Sequence, residues 1–439
     1  MRAFTKALLF FFLSVSISSG WELSEFMIFT YGVQLSEENV RTLAGADFNT
    51  VQGPANKLEL CRSHGLKLMI PHPGTDVAAS LTGDNAVWGY DIMDEPISLE
   101  QLYACADSVR AYRKADPTHP GFVNLNQKGG DWIRMLIDKV EPDILGYDDY
   151  QWWYGGVYEW FAGTPVHFVK LEQHRDAAME AGIPLIAWRE VNTQRNVKGE
   201  DKRNYATPPG NAQKIRQSVY TSLAYGVKGI LWFTGYLLFD EGSSVLNETG
   251  KQVAAINAEL KHLAPILVHL RSTGVFHTPP VPRGSRQTTP DHWVQPLGEN
   301  LVMGTFRDDA KTDYVIVANK DWRRERNVVL QFQLFQRIVQ SVEMFDKKSG
   351  GWKTVSVKTQ DDERNHEYIY DLGNVPERIK DYITYNHDKL DAKNLSFFEL
   401  YHTYPPPYEM VEFTLPPGDG ELLRVKLADG KNIPDPRKQ

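Results

Sequence analysis

Two acidic residues stand where apolar runs end. Val87–Pro96 reads Val-Trp-Gly-Tyr-Asp-Ile-Met-Asp-Glu-Pro, and Ile183–Glu190 reads Ile-Pro-Leu-Ile-Ala-Trp-Arg-Glu. A parallel strand inside a barrel is buried on both faces, where a carboxylate is costly; at the strand's last residue the same group emerges into a pocket. Pro96 ends the ladder because it has no N–H to donate. Alternation puts Asp91, Met93 and Glu95 on one face and Tyr90, Ile92 and Asp94 on the other. Two carboxylates facing each other across a pocket can cleave a glycosidic bond, one protonating the leaving oxygen while the other attacks the anomeric carbon. The acid must stay protonated near neutral pH, which partial desolvation and a nearby like charge arrange. The nucleophile must stay ionised, and Arg189, Tyr150 or Asn192 could help it. The other reading of Glu95 is a helix-capping acid on the following loop.

The chain supplies elements to position such residues. Strands are expected at Phe26–Tyr31, Phe48–Gln52, Leu66–Ile70, Val87–Glu95, Gly121–Leu125, Asp143–Tyr147, Pro184–Glu190 and Val227–Phe233, each followed by a helical pattern. Ser36 and Ser98 read as N-caps, and Gly65, Gly182 and Gly226 as helix stops. Eight strand–helix pairs in about 250 residues match a (β/α)8 TIM barrel, with a doubly wound open sheet as the alternative. No Gly-rich phosphate fingerprint favours the latter. Beyond a Pro-, Thr-, Ser- and Arg-rich stretch at Ser272–Asp291 the period changes to two, and the remainder reads as a C-terminal all-β sandwich-like domain. The expected division is 1–20 as a leader, 21–274 as the barrel and 275–439 as the β-domain, with an irregular insertion around 360–408.

In a barrel the C-terminal strand ends converge on one site. Here they present Tyr31, Gln52, His72, Glu95, Asn124 with Asn126, Asp148 to Tyr150, Glu190 with Asn192, and Trp232. Asp94, Asp149, Trp152 and Arg189 adjoin them. Ordinary loop polarity is the alternative for any one of these residues.

With Glu95 in Asp94-Glu95-Pro96 and Glu190 in Trp188-Arg189-Glu190, the chain resembles the clan of retaining glycoside hydrolases built on (β/α)8 barrels. The resemblance covers the barrel well and the β-domain loosely. It implies that Glu95 is the acid/base and Glu190 the nucleophile. It further implies that Tyr150 (or Tyr147) supports the nucleophile and that Trp232 floors the first sugar site. The clan's usual Asn before the acid is Asp94 here. An ionised Asp only accepts hydrogen bonds, so contact with the sugar's 2-hydroxyl must differ.

The bulk properties agree with a carbohydrate substrate. A net charge of -8 over 439 residues argues against nucleic acid as a partner. Arg189, Arg195, Lys198, Lys202 and Arg203 offer either a surface for an anionic sugar, uronate or sulfated, or a solvated loop balanced by Glu200 and Asp201. Arg2 and Lys6, the apolar run Ala7–Val15 and the small residues Ser16–Gly20 read as a signal peptide cleaved after Gly20, giving a secreted or periplasmic protein. An uncleaved anchor is the alternative, and no stable membrane insertion is expected after cleavage. Cys61 and Cys105 sit among apolar residues and read as buried free thiols or one disulfide. Neither a cofactor nor a metal is expected, since strand one ends without a His-x-His pair and no Asp/His cluster has ligand spacing. No Gly-x-Ser-x-Gly elbow is present. The rival functions are a non-catalytic carbohydrate-binding barrel and a metal-dependent hydrolase of another bond.

Overall fold

A computed structural model of the chain describes residues 21–125, 129–152, 165–191, 211–289, 292–332, 337–359 and 409–429. The leader at 1–20, Asn126, Asn192, the basic residues Arg195 to Arg203 and the 360–408 insertion lie outside the described residues.

Eight parallel strands close into a barrel in chain order: β1 (Met27–Thr30), β2 (Thr50–Gln52), β3 (Lys67–Pro71), β4 (Val87–Asp94), β5 (Gly121–Leu125), β6 (Ile144–Asp148), β7 (Leu185–Glu190) and β8 (Gly229–Phe233). Eight helices alternate with them: α1 (Glu37–Gly45), α2 (Leu58–Ser63), α3 (Thr75–Ser80), α4 (Leu99–Ala115), α5 (Gly130–Val140), α6 (Pro165–Ala181), α7 (Ala212–Ala224) and α8 (Glu248–Leu267). Every residue of β5, β6 and β7 is buried. Met27, Phe29, Met69, Trp88, Phe122, Ile144, Ile186, Trp188 and Leu231 fill the barrel, while the opposite parity packs against the helices. Ser98 fixes the start of α4 with a reciprocal capping box to Gln101, and Ser36 caps α1 through Asn39 N–H.

Strand β4 departs from simple alternation. Its pairing with β5 runs Asp91 to Phe122, then Met93 to Val123 and Asp94 to Asn124, so Ile92 is the extra residue of a bulge. The adjacent Ile92 and Met93 therefore both pack outward with Tyr90, and Asp94 has the inward parity of Asp91 and Asn124. The expected split of Asp91, Met93 and Glu95 from Asp94 is corrected accordingly. The extra residue re-aims the strand end, and Glu95 follows it in the left-handed region at φ 49.

Strand β9 (Arg271–His277), which spans the expected boundary at 274/275, pairs with β11 (Leu301–Arg307). The other strands are β10 (Val294–Leu297), β12 (Asp313–Asn319), β13 (Arg326–Phe332), β14 (Arg337–Asp346), β15 (Gly351–Val355), β16 (Lys358–Thr359), β17 (Glu409–Leu415) and β18 (Gly420–Asp429). They form a six-stranded sheet, β15-β14-β18-β12-β11-β9, and a four-stranded sheet, β10-β13-β17-β16. Residues of both sheets, among them Val315, Val317, Leu423, Val328, Leu330 and Val411, make one buried core, the packing of a β-sandwich. The domain docks on α7 through charge: Arg216 of α7 meets Asp419 at 2.8 Å, and Lys347 of the β-domain meets the same carboxylate at 2.9 Å from its own side.

Candidate active site

The bulged end of β4 brings three carboxyl groups to the C-terminal mouth. Asp91 Oδ2 accepts from Gln52 Nε2 at 2.7 Å, which joins β4 to β2. Asp94 is exposed toward the mouth, and its Oδ1 accepts from Asn124 Nδ2 at 3.0 Å. Glu95 is half-buried, and its backbone N–H donates to the Asn124 carbonyl at 3.1 Å. His72, which follows β3 at φ 44, donates its backbone N–H to the Asp91 carbonyl at 3.2 Å.

Asn124 bridges two strands' acids. Its Nδ2 also donates to Asp148 Oδ2 at 3.1 Å, so both amide hydrogens are engaged by carboxylates of β4 and β6. Gly146 makes room for this: a Cβ there would lie 2.7 Å from the Phe122 ring and 2.9 Å from Asn124 Oδ1. Tyr150, just past β6, packs its ring 4.7 Å from that of Phe233. Phe233 lies 5.6 Å from Tyr31, and Tyr31 lies 5.1 Å from Trp188, giving the mouth an aromatic floor.

Glu190 ends β7 with the inward parity of Ile186 and Trp188 and is fully buried. Its Oε1 accepts from Trp152 N–H at 2.8 Å. Among the described residues its Oε2 has no hydrogen-bond partner, and neither do Asn124 Oδ1 and Trp188 Nε1. Buried polar atoms are ordinarily satisfied, so three such atoms on the lining of one mouth point to a polar ligand.

Four of the expected residues lie on the other side of the sheet. Trp232 packs outward, donating Nε1–H to Asn257 Oδ1 on α8 at 2.9 Å. Arg189 reaches Ser222 on α7 at 2.6 Å and lies over the outward Tyr147 ring. Asp149 accepts from His167 Nδ1 on α6 at 2.9 Å. The Trp152 ring turns to Lys214 and to Trp322 of the β-domain, so only its backbone N–H serves the mouth. For Trp232 and Arg189 the misplacement is one step of parity in a strand buried on both faces, where apolar and polar residues do not mark the inside, and Asp149 follows β6 by one residue. The inward neighbours, Asp148 and Phe233, take the places expected of Asp149 and Trp232. Period-two counting from Ile144 and Leu231 would have found both.

Electrostatics divides the carboxyls by environment. Burial pushes Glu190 up to about 8, against the lowering pull of its own backbone N–H, Arg189 and the Trp152 hydrogen bond. Burial, then the charge and hydrogen bond of Glu95, push Asp148 up to about 8, while Asn124 opposes them. Burial and the Asp94 charge push Asp91 up to about 6, with His72 and Gln52 opposing. Behind the sheet burial also acts on Asp149, yet the His167 hydrogen bond and the charges of His167, Lys170 and Arg189 hold it below its ordinary value. Carboxyls kept protonated near neutral pH are suited to proton donation. Among the described residues no group of three His, Cys, Asp or Glu is arranged to hold a metal ion, and no helix is long and apolar enough to cross a membrane. Cys61 and Cys105 are buried free thiols.

No protein-family profile matches this sequence, and no curated protein matches it. Similar solved structures are glycoside hydrolases. A β-galactosidase from the psychrophilic Marinomonas ef1 has TM-score 0.42 and 11% identity over 56% of this chain and 62% of its own, so the match spans under two thirds of that enzyme. A GH51 arabinofuranosidase from Xanthomonas axonopodis pv. citri has TM-score 0.42 and 8% identity over 88% and 89%. The catalytic domain of a Thermobifida fusca endoglucanase has TM-score 0.38 and 12% identity over 53% and 91%. Likenesses of this size leave the chemistry to be argued from the site itself.

Proposed function

We propose that the protein is a secreted glycoside hydrolase that cleaves an oligo- or polysaccharide by retaining double displacement, with Glu95 as acid/base and Glu190 as nucleophile. The observation that carries this reading is the pairing of acids at the ends of β4 and β7 around Tyr150. Burial, then the charges of Asp148, Tyr31, Glu190 and Asp94, push the Tyr150 phenol well up. In the first step Glu190 attacks the anomeric carbon while Glu95 gives its proton to the departing oxygen. In the second, Glu95 takes a proton from the water that releases the sugar. The unpartnered Oε2 of Glu190 has lone pairs to offer. Sugar hydroxyls both donate and accept, so they suit Asn124 Oδ1 and Trp188 Nε1 as well.

Arg189 faces α7, and the described mouth carries Asp91, Asp94, Glu95, Asp148 and Glu190 against the imidazole of His72. This balance favours a neutral, hydroxyl-rich sugar over a uronate. Secretion follows from the expected leader, and N-terminal sequencing of protein recovered outside the cell should begin at Trp21. The test of function is hydrolysis of neutral and anionic oligosaccharides by the wild type and by Glu95→Gln and Glu190→Gln separately. Each variant should lose ~10²-fold or more in kcat. Undiminished turnover in either variant overturns that residue's role, and loss of binding without any wild-type turnover favours the carbohydrate-binding rival.

A further inference from the structure

The hydrogen bond that aims Glu190 comes from a residue that no strand pairing holds. Glu190 Oε1 accepts the Trp152 N–H at 2.8 Å, and Trp152 lies past the end of β6. The Trp152 ring is fixed instead from α7 and from the β-domain. Its Nε1–H donates to the Lys214 carbonyl at 3.2 Å. The Trp322 ring meets it edge to face, with centroids 6.3 Å apart and planes at 80°. The buried Lys214 ammonium lies over both indoles, 4.9 Å from the Trp152 ring and 4.7 Å from the Trp322 ring. Trp322 stands in the turn between β12 and β13, and that turn is itself braced. Asn319 Nδ2 donates to the Arg324 carbonyl at 2.8 Å and to the Pro416 carbonyl at 3.0 Å, and the Asp321 carbonyl accepts the Gly418 N–H at 3.0 Å. Gly418, at φ 68, lies so near α7 that a Cβ there would strike the Gln213 carbonyl. Gln151, the neighbour of Trp152, makes a second thread. Its Nε2 donates to Gln217 of α7, whose own Nε2 donates to the Lys320 carbonyl at 3.4 Å.

We propose that the β-domain completes the active site, with Trp322 as a positioning residue that aims the Glu190 carboxylate through the Trp152 ring and backbone. This rests on Glu190 being the nucleophile. A hydrogen bond to an ionised carboxylate is stronger than one to the neutral acid, so the Trp152 N–H favours the charged form that attacks. It also occupies Oε1 and leaves Oε2, unpartnered among the described residues, for the anomeric carbon. Without the Trp322 ring, Trp152 has an open side next to Lys214, the loop end shifts, and its N–H no longer meets Oε1 squarely. The charged and titratable groups around Glu190 come from several elements. They are Arg189 on its own strand, Asp148, Asp149 and Tyr150 at the end of β6, Tyr31 after β1, Asp94 and Glu95 across the mouth, and Lys214 on α7. Replacing Trp322 alters none of these charges, so a changed Glu190 titration reports the lost hydrogen bond.

The test compares the wild type with Trp322→Ala and Trp322→Phe, by carboxyl ¹³C NMR titration of the full chain labelled at Glu and by pH profiles on a panel of p-nitrophenyl glycosides. Glu190→Gln assigns the Glu190 resonance. In Trp322→Ala the Glu190 midpoint, and with it the ascending limb of kcat/KM, should rise by about half a pH unit or more. The kcat should fall about tenfold or more with KM within about threefold of wild type, and Trp322→Phe should restore most of both. Arg286→Ala cuts a different tie between the domains, the ion pair of Arg286 with Asp176 at 3.3 Å, and should change Tm alone. A Glu190 midpoint and kcat that stay unmoved in Trp322→Ala, or move equally in Arg286→Ala, overturn the inference while leaving the glycosidase reading intact. A wild type that cleaves none of the panel, or a Glu190→Gln protein that turns over at the wild-type rate, overturns the nucleophile reading and this inference with it. If Trp322→Ala does not fold, Trp322→Leu, which also lacks the ring, is read by the same two measurements.

Discussion

A nucleophile that burial pushes up to about 8 is mostly protonated at neutral pH. The proposed chemistry needs Glu190 ionised, so the ascending limb of the profile should lie near pH 8. A kcat/KM profile on any cleaved glycoside checks this, and a maximum below about pH 6 would contradict it. Parity makes a second prediction. Phe233→Ala removes part of the aromatic floor and should raise KM several-fold with a small effect on Tm. Trp232→Ala removes a fully buried ring and should destabilise the fold by about 3–5 kcal/mol, read by denaturant unfolding. The sequence marked Glu95, Glu190, Tyr31 and Gln52 as strand-end residues. It did not distinguish Asp148 from Asp149 or Phe233 from Trp232, because β6 and β8 are buried on both faces and carry no polarity signal for the inside.

Elements were more legible than side-chain directions. Apolar runs bounded by Gly, Pro and capping residues marked all eight barrel strands, since burial of short parallel strands requires such runs. The capping box at Ser98 was visible in part, as a Ser ahead of the long α4 pattern. Removing it by Ser98→Ala should cost ~1 kcal/mol of stability without changing kcat. The bulge at Ile92 was not legible, because Tyr-Asp-Ile-Met-Asp-Glu alternates equally well without it and only the pairing with β5 reveals the extra residue. Its consequence is large: it turns Asp94 inward and leads into Glu95 at the rim. Gly146 extends the same logic to β6. Gly146→Ala would force its Cβ to 2.9 Å from Asn124 Oδ1 and so disturb the bridge between Asp94 and Asp148. That variant should fold with a modest loss of Tm but lose activity out of proportion, as measured by kcat against fraction folded.

At the scale of the whole molecule, the buried acids should make stability depend on pH. Glu190 and Asp148 at about 8 and Asp91 at about 6 all lie above their unfolded values. A native state that binds more protons than the unfolded one is most stable below the unfolded pKa values, and this advantage is lost as pH rises through the folded ones. Wild-type stability should therefore decline between about pH 5 and about pH 9. Glu190→Gln should remove part of that decline, on the order of a few kcal/mol by denaturant unfolding at the two pH values. The β-sandwich is tied to the barrel by Arg216 of α7 on Asp419, a carboxylate the alternating pattern of the C-terminal strands did not reveal because it sits in the turn before β18. All of this frames one chemical claim, that Glu95 and Glu190 cleave a glycosidic bond with retention. The most direct measurement is ¹H NMR of the first anomer released from a cleaved glycoside, with Glu190→Gln run in parallel. The wild type should release the same anomer as the substrate, and the variant should release negligible amounts. Release of the opposite anomer, or release by the variant at the wild-type rate, would contradict that claim.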